Sequence, residues 1–319
     1  MKDRTRKDRT RKKRTRKDRR TTKGREKRRM SFLLWIAALL FAAGAIFLAL
    51  PFAEEIRFGF QGQERIGEFR EREAKEKQSG DELLEEMKEY NERIFREGQK
   101  DLKDAWSYEQ AGFDLSGTGL DREMVGYITI PAMDVELPLY IGADEENLSK
   151  GAAVLGQTSM PIGGNNTNCV IAAHRGYGGV PMFREIERLM PGDTVEITNL
   201  WETLSYRVVK SIVIPPDDIG AVKIIEGEDM VTLVTCHPYT ENYQRYVVYC
   251  RRAGAGASDR EEPDIPYEGV RYESSEAKIR RERMLGVAGS ALFLALTAAA
   301  AGWCAGWIWK RKKRREGGR

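Results

Sequence analysis

The chain has 319 residues, enough for one or two domains, and 32% of them are charged. Its net charge of +4 conceals a segregation, because residues 1–30 hold 18 Lys and Arg against 4 Asp and Glu, and residues 310–319 hold 7 against 1. Residues 31–309 therefore carry a net charge of −16. The KDRTR pattern that recurs in residues 1–30 supplies no apolar side chains for a core, which excludes a folded domain there and predicts a disordered basic tail.

Two apolar runs, residues 31–52 and 284–309, contain no charged residue. A helix of about 20 apolar residues crosses a bilayer, so each run predicts a transmembrane helix. Tryptophans near the end of the second run suit the aromatic belt at a membrane surface. Because basic residues precede the first run and follow the second, the positive-inside rule predicts a two-span protein of the cell membrane, with both termini in the cytoplasm and residues 53–283 outside it.

The basic ends have two interpretations. Runs of Lys and Arg bind nucleic acid in some proteins, but beside a membrane span they also bind anionic lipid. Each basic end adjoins one of the two apolar runs. We therefore expect the basic tails to contact anionic lipid, and we expect no nucleic-acid partner.

Residues 53–120 are polar and rich in Glu, Lys and Arg, and they predict a helix at Asp81–Gly98, where apolar side chains recur at spacings of three and four. Residues 121–252 change to short apolar runs between Gly, Pro and Asn clusters, with one predicted helix at Met182–Met190. Seven or eight short strands in this region predict a mainly β fold, a closed barrel or a sandwich. The predicted strands are Val125–Ile130, Val135–Ile141, Cys169–Ala173, Thr194–Thr198, Leu204–Ile214, Met230–Thr235 and Tyr246–Tyr249.

Residues 253–283 are small, polar and charged, and they predict a linker that becomes helical near Ser275. It would connect the β domain to the second span. The predicted order along the chain is a basic tail (1–30), a transmembrane helix (31–52), a helical region (53–120), the β domain (121–252), the linker (253–283), a transmembrane helix (284–309) and a basic tail (310–319).

Three cysteines lie outside the apolar runs, Cys169, Cys236 and Cys250, while Cys304 lies within the second run. An odd number guarantees at least one cysteine without a partner inside the chain. Cys169 and Cys250 are expected to be packing thiols at the far ends of their strands, with a disulfide as the alternative.

Cys236 ends a predicted strand and precedes His237-Pro238, and His174 ends another strand before a glycine-rich loop. Arg245 opens a third strand nine residues after Cys236, so neighbouring antiparallel strands would bring these two side chains close. A thiol with a pKa of about 8.5 is mostly protonated at pH 7 and needs a base or a positive charge to become a nucleophile. His174 can serve as that base and Arg245 can stabilise an oxyanion. Taken singly, each residue is more typical of another role: Cys236 of core packing, His174 of the surface and Arg245 of a salt bridge.

The segment Thr232–Cys236, TLVTC, resembles the TLxTC signature of sortases, and Ala173–Gly176, AHRG, resembles their histidine segment. Arg245 stands at the arginine spacing of that family. The resemblance covers about Glu123–Arg252 and implies an eight-stranded sortase β-barrel with short helices. It also implies a membrane-bound cysteine transpeptidase, with Cys236 as nucleophile, His174 as acid and base, Arg245 as oxyanion donor, and no metal or organic cofactor.

Further segments, among them residues 131–140 and 233–239, resemble class C sortases, which polymerise pilins. That class implies a lid with an Asp-Pro-aromatic motif, and Asp104-Ala105-Trp106 stands at the corresponding distance before the barrel, with Ala105 in place of proline. The resemblance implies that Asp104 interacts with Arg245 while Trp106 fills an apolar groove near Cys236. The alternative is an exposed acid beside a packed tryptophan.

The implied substrates are LPXTG-type surface or pilin proteins, cleaved between Thr and Gly, and an acceptor amine from a pilin lysine or a cell-wall peptide. Anchoring of surface proteins to the cell wall is therefore an alternative to pilus assembly. A plain cysteine protease and a two-span binding or scaffold protein with an inert cysteine are further alternatives.

His237 offers a second imidazole, but alternation along a strand should point it to the face opposite Cys236.

Overall fold

The structure, a computed structural model, describes residues 56–73, 81–108, 124–178, 180–254 and 265–316, with single positions at 113 and between 32 and 53. The chain divides into two compact units, Ala53–Gly289 and a unit contributed by Met1–Phe52 and Ser290–Arg319. The predicted basic tail at residues 1–30 lies outside the described residues, and so does most of the predicted span at 31–52.

Eight strands in the described part of the chain close a barrel in the order β1-β2-β3-β4-β7-β8-β6-β5. Pairs β2–β3 and β4–β7 are parallel and the others are antiparallel, so the predicted barrel is confirmed as a mixed one. The strands are β1 (Met124–Ile130), β2 (Val135–Ile141), β3 (Ala152–Val154), β4 (Thr167–Ala172), β5 (Thr194–Asn199), β6 (Thr203–Ile214), β7 (Asp229–His237) and β8 (Gln244–Arg252).

Aliphatic side chains from several strands form much of the core of the barrel. Ile128, Leu139, Val170, Val231 and Val247 are completely buried. Such β-branched and aliphatic residues suit a pleated sheet. The β7–β8 pair is buried on both faces, since Val231 and Val247 point to opposite sides of it. The core fixes the strands, and the strands in turn fix the side chains at their ends.

The described ranges also contain helices. They are α1 (residues 56–73), α2 (Asp81–Glu97), α3 (Glu145–Lys150) and α4 (Glu276–Glu316). Helix α2 matches the predicted helix and buries one face, including Met87 and Ile94. It ends at Glu97, and the next residue, Gly98, has a φ of +70°, the left-handed conformation typical of a residue after a helix.

The predicted helix at Met182–Met190 is wrong in kind. The segment consists of turns and a short 3₁₀ helix at Ile186–Arg188. Met182 has a φ of +39°, which an α-helix excludes, and Phe183 and Ile186 are completely buried. Burial of Phe183 and Ile186 in the core outweighs the helical preference of the local sequence.

Within the described residues, one helical stretch is long and apolar enough to cross a membrane, Glu276–Ala300 in α4. It overlaps the predicted span at 284–309. Helix α4 begins directly after Ser275, as the sequence predicts. In the second unit, the rings of Phe41 and Phe293 stack with their centroids 5.1 Å apart.

Candidate active site

Strand pairing brings the three candidate residues to one rim of the barrel. In the parallel pair β4–β7, Ala172 is opposite Val234. His174 lies two residues after Ala172 and Cys236 lies two residues after Val234, so both lie toward the same end of these strands. In the antiparallel pair β7–β8, Cys236 is directly opposite Arg245, which places their Cβ atoms about 5 Å apart. The residues predicted from sequence therefore lie on or just beyond three adjacent strands.

Cys236 is buried, with 6% of its surface exposed. Burial, the largest influence, raises the pKa of its thiol, Arg245 opposes this rise and the Asp104 carboxylate adds to it, so that the resulting pKa is about 11. The sulfur is therefore a neutral thiol at pH 7 in this conformation. A thiolate would need either more solvent or less negative charge nearby.

His174 is half-buried at the mouth of the site. Its ring stacks on Tyr177, with centroids 4.8 Å apart and an interplanar angle of 12°. The indole Nε1–H of Trp106 donates to His174 Nδ1 at 3.5 Å. Burial lowers the pKa of the imidazole, so the ring is neutral near pH 7 and carries its proton on Nε2 when Nδ1 accepts.

Arg245 is buried and its guanidinium is fully engaged. Nε donates to Asp104 Oδ1 at 2.7 Å, and Nη2 donates to Asp104 Oδ2 at 2.8 Å. Nη1 donates to the backbone carbonyls of Asn242 and Gln244 at 2.9 and 2.8 Å. The loop carbonyls orient the guanidinium, and the fork of Nε and Nη2 binds one carboxylate in the bidentate manner typical of arginine.

The segment Asp104–Ser107 occupies the rim between His174 and Arg245. It forms a 3₁₀ turn whose first N–H groups are capped by Asp104, since Trp106 N donates to Asp104 Oδ2 at 3.2 Å. The Trp106 ring lies 4.8 Å from the Arg245 guanidinium carbon, a cation–π contact. Ala105 is buried here, and the Asp104 cap holds the turn that proline would otherwise favour.

This arrangement matches known proteins. The sequence model of the sortase domain matches residues 128–253. The solved structure of sortase C1 of GBS pilus island 1 is 32% identical, with a TM-score of 0.56, and the match covers 98% of that chain and 60% of this one. This chain belongs to the sortase family.

Other sortases match over similar lengths. Sortase C-1 from Streptococcus pneumoniae is 32% identical with a TM-score of 0.53, and the match covers 99% of that chain and 60% of this one. Sortase A of Bacillus anthracis is 26% identical over 67% of this chain and 90% of its own length. The protein is thus a sortase, a cysteine transpeptidase, and it is most similar to class C.

The second imidazole of this sortase, His237, lies in a different environment from His174. It is completely buried and packs edge-on against Tyr272, with centroids 5.1 Å apart. Burial and, to a smaller extent, the charge of Arg175 lower its pKa to about 4. Arg175 Nη1 donates to His237 Nδ1 at 2.6 Å, because an arginine can only donate. His237 is therefore neutral and held in a polar cluster beneath the rim.

Cys169 and Cys250 are buried free thiols. Both flank Val231, one from β4 and the other from β8, at the end of the strands away from Cys236. Two strand spacings of about 4.8 Å separate them, which exceeds the Cα distance of about 7 Å that a disulfide can bridge. The disulfide alternative is therefore wrong, and both side chains pack in the core.

The residues that the structure describes contain no cluster of three or more His, Cys, Asp or Glu that could hold a metal ion.

Two residues at this site were not predicted from the sequence. Arg175 and Glu187 form a buried ion pair directly behind Cys236 and His174. Arg175 belongs to the AHRG motif and directly follows His174. This position is the sequence feature that could have indicated its role. Glu187 lies in the segment whose helix prediction was wrong, and no local pattern indicates its role.

Proposed function

We propose that this sortase cleaves LPXTG-like sorting signals between Thr and Gly through a thioacyl intermediate on Cys236. It then transfers the acyl group to an amine, a pilin lysine. The observation that carries the proposal is the direct pairing of Cys236 with Arg245, beside the end of the strand that presents His174. The similarity to class C structures, one of which is named for a pilus island, supports the pilin acceptor.

In the first step, the Cys236 sulfur attacks the threonine carbonyl and the carbonyl oxygen gains negative charge. Asp104 suggests where that oxygen would bind, because its carboxylate accepts hydrogen bonds of 2.7 and 2.8 Å from Arg245. Donors aimed at an oxyanion at such distances stabilise the transition state. We therefore assign Arg245 to the oxyanion. His174, which has taken the proton of the Cys236 thiol, gives it to the glycine amine as the Thr–Gly bond breaks, and these steps need no cofactor.

The second step forms the new bond. His174, left neutral once it has protonated the glycine amine, accepts a proton from the incoming amine, which attacks the thioester and releases Cys236. One amide bond is broken and another is made, so the exchange needs no ATP. An acceptor from cell-wall peptide would use the same residues, and it differs only in the amine supplied.

We propose that Asp104 and Trp106 form a lid over this site. Asp104 occupies the donors of Arg245 and raises the pKa of Cys236, while Trp106 contacts His174. With the segment in place, thiol and imidazole are both neutral. Displacement of the lid would let water reach both groups, which lowers the pKa of the thiol and raises that of the imidazole, and so favours the thiolate–imidazolium pair.

The membrane arrangement is likewise proposed. We infer a two-span protein with cytoplasmic basic tails that contact anionic lipid, a lid region at 53–120, a catalytic barrel at 121–252 outside the membrane and a linker at 253–283. The apolar helix Glu276–Ala300 supports the second span. The stacking of Phe41 on Phe293 supports a first apolar run that packs beside it. Protease accessibility of the barrel in intact cells, with the tails protected, tests this topology.

A peptide-cleavage assay tests the chemistry. The full-length protein is incubated with an LPXTG-like peptide, and mass spectrometry identifies the thioacyl adduct, which we expect on Cys236. Cys236→Ala should form no adduct, whereas Cys169→Ala, a thiol at the opposite end of the barrel, should still form it. An adduct that persists in Cys236→Ala would refute the proposal, and an unreactive Cys236 in the wild type would favour a scaffold.

The products identify the acceptor. With lysine-bearing pilin peptide and cell-wall peptide supplied together, we expect the isopeptide with the pilin lysine to predominate. A predominance of the cell-wall adduct would instead assign an anchoring sortase. Predominant hydrolysis with both amines in excess would indicate a protease.

A further inference from the structure

A buried ion pair lies directly behind the candidate catalytic residues. Arg175 is 4% exposed, and the Glu187 side chain that it contacts is also 4% exposed. Removal of two charges from water costs several kcal/mol per ion, and a buried pair is often no more stabilising than apolar residues of the same volume. Stability alone is thus a weak reason for this pair at this position.

Arg175 connects the two reacting residues. It is the next residue after His174, and its Nη1 donates to the backbone carbonyl of Cys236 at 3.3 Å. The same nitrogen donates to His237 Nδ1. One guanidinium therefore fixes the end of β7 relative to the segment that presents His174, and its charge lowers the pKa of Cys236.

Glu187 is in turn held by the segment that leads into α4. The backbone N–H of Ser275 donates to both of its carboxylate oxygens, at 3.1 and 3.0 Å, and the Ser274 hydroxyl donates to Oε2. These contacts span 88 residues of sequence. The carboxylate thus joins Arg175 to the start of the helix that contains the apolar stretch.

The same helix start also holds the loop between β7 and β8. Ser275 Oγ accepts from Tyr239 N at 3.0 Å, and Lys278 Nζ donates to Tyr239 O at 3.0 Å and to Thr240 Oγ1 at 2.6 Å. This loop connects Cys236 to Arg245. Residues 274–278, at the start of α4, therefore contact both Glu187 and the loop between the candidate nucleophile and oxyanion donor.

We propose that Arg175 and Glu187 are positioning residues for transpeptidation, and that residues 274–278 complete a brace that holds Cys236 and His174 in register. The inference rests on the proposed function of Cys236 and His174. It adds that the segment before α4 is part of the active-site scaffold and does more than connect the barrel to an apolar helix.

The first test compares Glu187→Gln with Glu228→Gln in the full-length protein in detergent micelles. Glu228 is a matched control, because it pairs with Arg251 at the opposite end of the barrel. Displacement of a catalytic group by about 1 Å costs roughly 100-fold in rate. We expect Glu187→Gln to lower kcat of thioacylation about 10- to 100-fold, with a much smaller change in KM, while Glu228→Gln retains wild-type kinetics.

A structural role alone would give a different result. If Glu187→Gln has a lower melting temperature but a wild-type kcat at a temperature where it is fully folded, the pair only stabilises the barrel and the inference is overturned. An equal loss of kcat in Glu228→Gln would also overturn it, because the effect would then not be specific to the brace.

A second measurement does not depend on catalysis. The alkylation rate of Cys236, followed by mass spectrometry of its peptide at pH 8, should fall severalfold in Arg175→Gln, because a charge that lowers the pKa of the thiol is lost. An unchanged rate would overturn the inference. Failure of the proposed function is distinguishable, since it appears as thioacyl formation in Cys236→Ala.

The contribution of the helix start is tested with Ser274→Ala, which removes one hydroxyl from an exposed residue. We expect a two- to threefold lower kcat in the wild-type background and no further loss in Glu187→Gln, because residues in one network have non-additive effects. Equal losses in both backgrounds would show that Ser274 acts independently of Glu187, and this would overturn the proposed brace.

Discussion

Asp104 and Arg245, 141 residues apart in sequence, are joined by two hydrogen bonds that run in parallel from one guanidinium to one carboxylate. The pair is mostly shielded from solvent, with 19% and 9% of the two side chains exposed. Because Cys236 is directly opposite Arg245, this ion pair changes the electrostatics of the thiol. Arg245 alone would lower the pKa of Cys236, and Asp104 partly cancels that effect.

Asp104→Asn should therefore make Cys236 more reactive. Loss of the carboxylate removes an influence that raises the pKa of the thiol, so the pKa falls, and each unit gives about tenfold more thiolate at a pH well below it. We expect alkylation of Cys236 at pH 7.5 to accelerate about tenfold. Asp101→Asn, an exposed acid three residues earlier, should leave the rate unchanged, and equal rates in all three proteins would contradict the prediction.

Arg245→Lys should be nearly as damaging as Arg245→Gln. A lysine keeps the charge but cannot present two parallel donors to one oxyanion site, and loss of an oxyanion donor costs about 3 kcal/mol, or roughly 100-fold in rate. We expect kcat/KM for peptide cleavage to fall by this factor. Arg251→Lys, on the same strand at the other end of the barrel, is the control. Wild-type kcat/KM in Arg245→Lys would exclude the bidentate role.

Trp106→Ala should raise the pKa of His174. Burial lowers this pKa, and removal of the indole that donates to Nδ1 admits water, which favours the imidazolium. The chain has two histidines, so NMR titration can follow both rings. We expect the midpoint of His174 to move up toward the ordinary value of about 6.5, with His237 unmoved. A midpoint that stays the same or falls would show that Trp106 does not shield the ring.

His237 should make the folded protein less stable in acid. Its pKa is about 4 in the folded chain and about 6.5 when unfolded. As pH falls from about 6.5 to about 4, the unfolded chain takes up a proton that the folded chain refuses, so the free energy of unfolding decreases. His237→Gln keeps an acceptor for Arg175 but does not titrate, and its melting temperature should fall less steeply over this range. Parallel curves for the two proteins would contradict the assignment.

The three thiols of the barrel should differ sharply in reactivity. Cys169 and Cys250 are completely enclosed and burial raises the pKa of each, while Cys236 lies at the rim. We expect a charged thiol reagent to label Cys236 alone in the Asp104→Asn variant, and oxidation to yield no Cys169–Cys250 disulfide. Peptide mapping by mass spectrometry without reductant checks both outcomes, and a Cys169–Cys250 crosslink would refute the strand register.

The sequence allowed much of the rim to be predicted because its signals are local. Cys236 and Arg245 are separated by a loop-length interval between two apolar runs, so a hairpin was the simplest arrangement, and β7 and β8 form one. The strand boundaries also agree within two residues in most cases. Strand β3 was missed because three residues, Ala152–Val154, are too few for an alternating pattern.

The rest depends on non-local contacts. The parallel pairing of β4 with β7, which places His174 beside Cys236, joins segments about sixty residues apart, and no local pattern specifies it. Glu187 lies in a segment whose sequence pattern predicts a helix. Its partners at residues 274–275 lie after the last strand of the barrel, so no local pattern connects them to it. Such pairings form only when the whole core packs, because burial of Phe183 and Ile186 outweighs local preference.

In the proposed lid, Asp104 is attached to the same polypeptide as Arg245 and would compete with an incoming peptide for it. A tethered group commonly has an effective concentration in the millimolar range, so the proposed substrate would have to displace Asp104 before it reaches Arg245. The apparent dissociation constant of the intact protein then equals the intrinsic constant divided by the fraction of molecules in which Arg245 is uncovered. Comparison of the affinities measured with and without this aspartate would thus give the fraction of molecules in which Asp104 does not cover Arg245.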